Sequence, residues 1–123
     1  MKYTAAVITV SDMGSRGLRQ DTSGPAVRAM LEEAGFSVAH TAILPDEMEQ
    51  IRAELRDCAD RRRIDLIVTT GGTGLSPRDV TPEATRAVLE REIPAIPVAM
   101  WVEGLKVIPR AMLSRAVAGI RGS

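Results

Sequence analysis

Apolar residues follow two different periods along this chain, and the two periods alternate. Short runs dense in apolar and β-branched residues occur at Tyr3–Val10, Phe36–Leu44 and Leu66–Val68, and they predict strands. After each run, apolar residues recur every three or four positions, which predicts a helix. Three such strand–helix pairs are typical of βαβ units with right-handed crossovers, so we expect an α/β fold with a parallel sheet.

Apolar residues spaced three or four positions apart mark the inner faces of the predicted helices. The apolar positions expected to face inward are Val27, Met30, Leu31 and Ala34, then Met48, Ile51, Leu55, Cys58 and Ala59, then Ala84, Ala87 and Val88 within Pro82–Glu90. A further helix is predicted over Val98–Leu105. Residues 109–122 are less regular, and we expect a helical turn at 111–113 and a strand within 117–120.

Three glycines in four positions follow the third strand. Gly71, Gly72 and Gly74 enclose Thr73, and a polar loop with Arg78 and Asp79 leads to Thr81, a predicted helix N-cap. Backbone N–H groups of a glycine turn beside a helix start form a site for an anion, most often phosphate. The spacing fits neither a Walker loop nor a dinucleotide-binding fingerprint. For the glycines alone, the alternative is an ordinary turn that binds no ligand.

Acidic residues occur in each of the loops that follow the three strands. Ligands of open α/β sheets bind beyond the carboxyl ends of the strands, so we expect Asp12, Asp46 and Asp79 to be neighbours. Carboxylates beside a phosphate site need a cation between them, and Mg²⁺ is the oxygen-seeking candidate. The sequence thus predicts phosphate-ester or nucleotide chemistry with Mg²⁺, driven by positioning and charge stabilisation. The absence of a Ser-His-Asp set or a Cys-His pair argues against covalent acyl transfer.

Structural interpretations compete with the chemical ones at several positions. Asp46 is placed to cap a helix, with Glu49 completing a capping box. Cys58 fits a core stripe as a small hydrophobe, and His40 is expected to be a surface or edge residue. Asp79 has no evident local structural role, because Thr81 already supplies the cap. Of the acidic residues, Asp79 is therefore the one for which the sequence most favours a functional role.

Composition narrows the class of protein. The length of 123 residues predicts one domain, residues 1–123, with an aliphatic core, since one Trp, one Tyr and one Phe are present. A net charge of zero argues against general attraction to nucleic acid or membranes. One cysteine excludes an internal disulfide and gives no zinc pattern, which favours the cytoplasm. No signal peptide and no apolar run of membrane-spanning length is present.

Several motifs resemble one known family. The segment 69–85 is similar to the signature of the MogA/MoaB-type molybdenum cofactor biosynthesis family, which includes molybdopterin adenylyltransferases and molybdopterin-binding domains. Other motifs resemble that family in the same order, from about Val7 to Gly122: Thr9–Asp12, Ser15–Gly17, Asp21 with Ser23–Pro25, Pro45–Glu47, Ala111–Arg115 and Ala118–Gly122. Several motifs in register make the resemblance far more specific than any one of them.

The resemblance implies a fold, a reaction and a set of site residues. The implied fold is a three-layer αβα sandwich with a mostly parallel sheet, commonly a homotrimer. The implied reaction is adenylyl transfer from Mg-ATP to molybdopterin, giving adenylyl-molybdopterin and pyrophosphate. By motif, Asp46 and Asp79 match the catalytic carboxylates and would hold Mg²⁺. The substrate-binding positions implied are Gly71, Gly72, Thr73, Gly74, Ser76 and Arg78, with Ser11, Asp12, Ser15 and Arg16 on the nucleotide side.

Two departures from the family pattern keep alternatives open. Ile93–Pro97 replaces a smoother helix entry, and the chain ends before the strand, loop and helix that complete the pterin pocket in relatives. One alternative is a catalytically silent molybdopterin- or nucleotide-binding scaffold of the same pathway. A second is a competence-damage-type domain acting on other nucleotides, and a third is an assembly module with a vestigial site. Pyrophosphate release from Mg-ATP and molybdopterin discriminates among them.

Overall fold

The computed structural model of the chain describes residues 2–122. Its strands are β1 (Thr4–Val10), β2 (Ser37–Leu44), β3 (Leu66–Thr70), β4 (Arg91–Glu92) and β5 (Gly119–Ile120). Its helices are α1 (Asp12–Ser15), α2 (Ser23–Glu33), α3 (Met48–Arg56), α4 (Thr81–Val88) and α5 (Ala95–Leu105). A π-helical turn, Asp57–Arg61, extends α3, and a 3₁₀ turn, Pro109–Leu113, follows α5. The predicted alternation of strand and helix is confirmed.

The main sheet has three parallel strands in the order β2-β1-β3. In the register of β1 with β2, Val10 pairs with Leu44, and in that with β3, Thr9 pairs with Thr70. The central strand β1 is buried from Ala5 to Val10, as its continuous apolar character predicts. The carboxyl ends of all three strands therefore lie at one edge of the sheet.

Helices cover both faces of this sheet, which confirms the three-layer α/β sandwich. On one face, Ile8 and its neighbours pack against side chains of α3, α4 and the π-helical turn, and this aliphatic core consists of Ala6, Ile8, Val10, Ile51, Leu55, Cys58, Ala84 and Val88. On the other face α2 contacts β1 and β2. There Gly24 lies so close to Thr9 that a Cβ would meet the Thr9 hydroxyl at 2.6 Å.

Several predicted details differ from the structure. Met30 is 69% exposed, because α2 buries only Gly24 in its first turn, and Ala34 and Ala87 are exposed too. Helix α5 begins three residues before the predicted start, at Ala95, since a proline such as Pro97 is tolerated in a first turn. The expected strand at 117–120 is present as β5, which pairs antiparallel with β4. No helix within residues 2–122 is long and apolar enough to cross a membrane.

Candidate functional site

The loops after β1 and β2 are joined by two carboxylates. The N–H of Asp12 donates to Asp46 Oδ2 at 3.0 Å, and the N–H of Asp46 donates to Asp12 Oδ1 at 2.9 Å. Helix α3 begins at Met48, and its cap residue Glu47 makes no side-chain cap bond. The interpretation of Asp46 as a helix cap is therefore wrong, because its carboxylate binds the neighbouring loop instead. The predicted proximity of Asp12 and Asp46 is confirmed.

The loop after β1 is shaped by short-range hydrogen bonds. Ser11 Oγ accepts from the N–H of Gly14 at 3.0 Å and so caps the single turn of α1. Ser15 Oγ donates to the carbonyl of Asp12 at 2.9 Å. Arg16 follows as an exposed residue at the end of that turn. Ser11 and Ser15 therefore have local roles that present Asp12 to the site.

Arg78 reaches across the site from the loop after β3. Its Nε and Nη2 donate to the two carboxylate oxygens of Asp12 at 3.0 and 2.9 Å, and Nη2 also meets Glu47 Oε1 at 3.1 Å. The hydrogen bond from Arg78 lowers the pKa of Asp12, and the N–H of Asp46 lowers it further. All three loops after the strands are thus tied together, and the charge of Arg78 is already balanced by two carboxylates.

Two glycines of the loop after β3 are required by close approach. Gly71 and Gly72 have φ of +95° and +69°. A Cβ at Gly71 would collide with the carbonyl oxygen of Val10, and one at Gly72 with the hydroxyl of Thr81. The same Cβ at Gly72 would lie 3.1 Å from Asp46 Oδ1. The glycine loop, residues 71–74, therefore packs directly against β1, α4 and the carboxylate of Asp46.

Asp79 faces the same loop from its other end. Its Oδ2 accepts from the N–H of Ser76 at 3.0 Å, and a Cβ at Gly74 would lie 2.9 Å from that oxygen. The N–H of Asp79 in turn donates to the Ser76 carbonyl at 2.9 Å. The expectation that Asp79 has no local structural role is therefore wrong, because it closes the turn 76–79.

The backbone donors of the glycine loop are available to a ligand. Within residues 2–122, the N–H groups of Gly72, Thr73 and Gly74 donate no hydrogen bond to another protein group. The predicted cap at Thr81 is wrong as well: α4 has Val80 at its N-cap position, and the buried Thr81 hydroxyl has no partner in that range. Free amides, an unpartnered hydroxyl and two carboxylates therefore surround Gly72–Gly74.

The electrostatics of Asp46 suit a bound cation. Burial raises its pKa most, and the charges of Asp12 and Asp79 raise it further, against the lowering by the Asp12 N–H and Arg78. A divalent cation between Asp46 and Asp79 would relieve this repulsion. Mg²⁺ commonly takes one or two carboxylates, waters and substrate phosphates rather than a full protein cage. The two carboxylates that face the glycine loop fit that requirement.

A cavity of about 280 Å³ adjoins the glycine loop between the ends of β1 and β3. Of the predicted site residues, Ser11 and Gly71 line it, together with Asp21, Ser23 and Thr70. Asp21 accepts from Thr9 Oγ1 at 2.9 Å and from the N–H of Gly24 at 3.0 Å. Sequence reasoning did not place these residues in the site, although Asp21 and Ser23 stand in a family-like motif.

Arg115 was missed as well, although it contacts the glycine loop directly. Its Nε donates to the Gly74 carbonyl at 2.8 Å, and its N–H donates to the Thr73 carbonyl at 2.9 Å. Sequence distance concealed this contact, because 41 residues separate Arg115 from Gly74. A family-like motif at Ala111–Arg115 was the available signal.

His40, Glu54 and Cys58 are the one group of three or more metal-ligand side chains gathered within 4.8 Å among residues 2–122. His40 lies on the edge strand β2, as expected, and its Nε2 is 2.6 Å from Glu54 Oε1. The Cys58 thiol is buried, and burial raises its pKa to about 11. His40 and Cys58 both hydrogen-bond to the Glu54 carboxylate, between β2 and α3 with its π-helical turn.

Comparisons with known proteins point to one family. Residues 6–123 match the family described as probable molybdopterin binding domain. The chain is 41% identical over 117 residues to molybdopterin adenylyltransferase of Helicobacter pylori, covering 94% of this chain and 66% of that protein. It is 43% identical over 124 residues to molybdenum cofactor synthesis protein cinnamon of Drosophila melanogaster, covering 98% of this chain and 20% of that protein.

A solved structure shares the fold of this chain. The molybdopterin biosynthesis enzyme MoaB of Thermus thermophilus superposes with a TM-score of 0.92 at 51% identity, covering 98% of this chain and 76% of that one. The chain thus spans a fifth to about two thirds of the length of the two curated relatives above.

Proposed function

This chain belongs to the family of probable molybdopterin binding domains, and on that premise we propose that it transfers an adenylyl group from Mg-ATP to molybdopterin in molybdenum cofactor biosynthesis. The observation that carries the proposal is the glycine loop, which has free amides at Gly72–Gly74 and lies against the carboxylates of Asp46 and Asp79. Relatives about 40% identical are named molybdopterin adenylyltransferase, which supports the same reaction.

The reaction forms one bond to phosphorus and breaks another. A terminal phosphate oxygen of molybdopterin attacks the α-phosphorus of ATP, the bond from the α-phosphorus to the bridging oxygen breaks, and pyrophosphate leaves with that electron pair. The free N–H groups of Gly72–Gly74 bind a phosphate in this arrangement. They act by positioning and charge stabilisation, since phosphoryl-type transfer asks little covalent chemistry of the protein.

Asp46 and Asp79 are proposed to hold Mg²⁺, which offsets negative charge on the ATP phosphates. Ser11, Asp12, Ser15 and Arg16 form the nucleotide side, and Ser76 lies next to Asp79 in the turn. Arg78 has a supporting role in this account, since it binds Asp12 and thereby joins the nucleotide-side loop to the glycine loop.

The direct test measures pyrophosphate release from wild-type protein with molybdopterin and Mg-ATP, alongside Asp79→Asn. We expect turnover by the wild type and a loss on the order of 10²-fold in the variant, the scale of removing one electrostatic stabiliser. Molybdopterin binding by the variant should be nearly unchanged. Wild-type protein that binds molybdopterin without releasing pyrophosphate would instead be the binding scaffold of the same pathway.

We also propose that the protein is a cytoplasmic homotrimer. Helix α5 and the turn after it expose many large apolar side chains: Ile96, Val98, Met100, Val102, Leu105, Val107, Met112 and Leu113. Exposed apolar side chains concentrated in one segment support self-association, and the number three comes from the family resemblance. Multi-angle light scattering that gives a stable monomer at micromolar concentration would contradict this part of the proposal.

A further inference from the structure

The guanidinium of Arg115 joins the two ends of the site loop Thr73–Asp79. Its Nε donates to the Gly74 carbonyl at 2.8 Å, and its Nη2 donates to the Asp79 carbonyl at 2.6 Å. Its Nη1 meets Glu83 Oε2 at 2.6 Å, in the first turn of α4. The planar fork thus binds both ends of the loop and the helix that follows it.

The contacts of Arg115 set the direction of the peptide planes. The main-chain N–H of Arg115 binds the Thr73 carbonyl, and its side chain binds the Gly74 carbonyl. In a planar trans peptide the N–H of the next residue points opposite to the carbonyl. The N–H groups of Gly74 and Leu75 therefore point away from Arg115. Both carbonyls, which would repel a phosphate, are bound from the Arg115 side: that of Gly74 by the guanidinium and that of Thr73 by the main-chain N–H.

Within the loop itself, hydrogen bonds tie only its second half. Ser76 and Asp79 bind each other, and the Arg78 N–H lies 3.4 Å from Ser76 Oγ. For Thr73 and Gly74, the hydrogen bonds to the rest of the protein within residues 2–122 are those from Arg115. Arg115 also lowers the pKa of Glu83 through its hydrogen bond, which keeps that anchor ionised.

We propose that Arg115 is a positioning residue for the glycine loop, which holds the Gly74 amide and the Asp79 carboxylate in the arrangement needed for adenylyl transfer. This inference rests on the proposed function. Arg115 acts through the loop and not by touching the substrate, so its loss lowers kcat more than it raises KM for Mg-ATP. A misplacement of about 1 Å costs on the order of 10²-fold in rate.

The test compares Arg115→Ala and Arg115→Lys with Arg121→Ala. Arg121 is a matched control: its guanidinium binds the Val88 carbonyl at 2.9 Å and Asp60 at 2.8 Å, away from the glycine loop. We expect Arg115→Ala to lose on the order of 10²-fold in kcat, Arg115→Lys to lose less, and Arg121→Ala to keep kcat. Added guanidinium, well below denaturing concentration, should restore part of the kcat of Arg115→Ala.

A second measurement separates this inference from the proposed reaction. Amide hydrogen exchange at Ser76 and Asp79, whose N–H groups are hydrogen-bonded within the turn, should be faster in Arg115→Ala than in the wild type, and unchanged in Arg121→Ala. An inactive wild type would overturn the proposed function, while faster exchange in the variant would still support the role of Arg115 in the loop. An active wild type with unchanged kcat and unchanged loop exchange in both Arg115 variants would overturn the inference.

Discussion

Replacing Asp46 by Asn separates the chemical role of this carboxylate from its structural one. Asp46 Oδ2 accepts from the Asp12 N–H at 3.0 Å, and the amide oxygen of Asn accepts equally well. The reciprocal bond from the Asp46 N–H is a main-chain donor and is also retained. The substitution therefore removes a negative charge and leaves the link between the two loops intact.

The expected stability change follows from the direction of the Asp46 pKa. Burial, with the nearby charges of Asp12 and Asp79, raises that pKa in the folded protein. A group with a raised pKa contributes stability below its unfolded pKa and loses it as the pH rises through the folded pKa. At neutral pH the ionised side chain is thus unfavourable, so Asp46→Asn should keep or raise Tm. Asp46→Ala leaves the Asp12 N–H without its partner and should cost about 1 kcal/mol.

The expected activity change has the opposite sign. Loss of one electrostatic stabiliser should lower turnover by about 10²- to 10³-fold in Asp46→Asn. Pyrophosphate release and thermal unfolding on the same preparations measure both effects. Asp65→Asn is the control, since Asp65 also accepts a main-chain N–H, that of Thr4 at 2.8 Å, at the opposite end of β1. Full turnover in Asp46→Asn, or equal losses in both variants, would refute the assignment.

Three further substitutions test separate contacts. Gly72→Ala should cost about 1–2 kcal/mol for its left-handed backbone plus the collision with Thr81, whereas Gly17→Ala, with φ of +72° and open space, should cost the backbone part alone in denaturant unfolding. Arg78→Gln should raise the pKa of Asp12, which NMR titration measures. The stability that Arg78 adds through its pair with Asp12 should be present at neutral pH and be lost as the pH falls through the wild-type Asp12 pKa. Asp79→Ala, which loses the Ser76 acceptor, should speed amide exchange at Ser76, whereas Asp79→Asn should not.

The sequence was sufficient for the elements whose pattern is local. The continuous apolar run of β1 predicted a strand, and the stripe of Ile51, Leu55 and Cys58 predicted the inner face of α3. Topology then brought Asp12 and Asp46 together, because parallel strands end at one edge of the sheet. These predictions needed only periodicity and connection rules.

Contacts between distant segments were beyond the reach of sequence reasoning. Capping rules placed Asp46 and Thr81 at helix starts, but tertiary contacts override such local preferences: Asp46 binds Asp12, and Thr81 faces Gly72. The contact of Arg115 with Gly74 depends on how the chain returns after α5, and no local pattern encodes that. The structure was therefore needed to show which side chains contact one another across the loops.

The most direct test of the central claim follows the α-phosphate of ATP. Wild-type protein is incubated with molybdopterin and Mg-ATP labelled at the α-phosphate, and the pterin fraction is isolated. The account predicts that the label appears on molybdopterin in a one-to-one ratio with released pyrophosphate, and that Asp46→Asn transfers label far more slowly. Label that stays in ATP, or that leaves as free AMP without reaching molybdopterin, would contradict adenylyl transfer at this site.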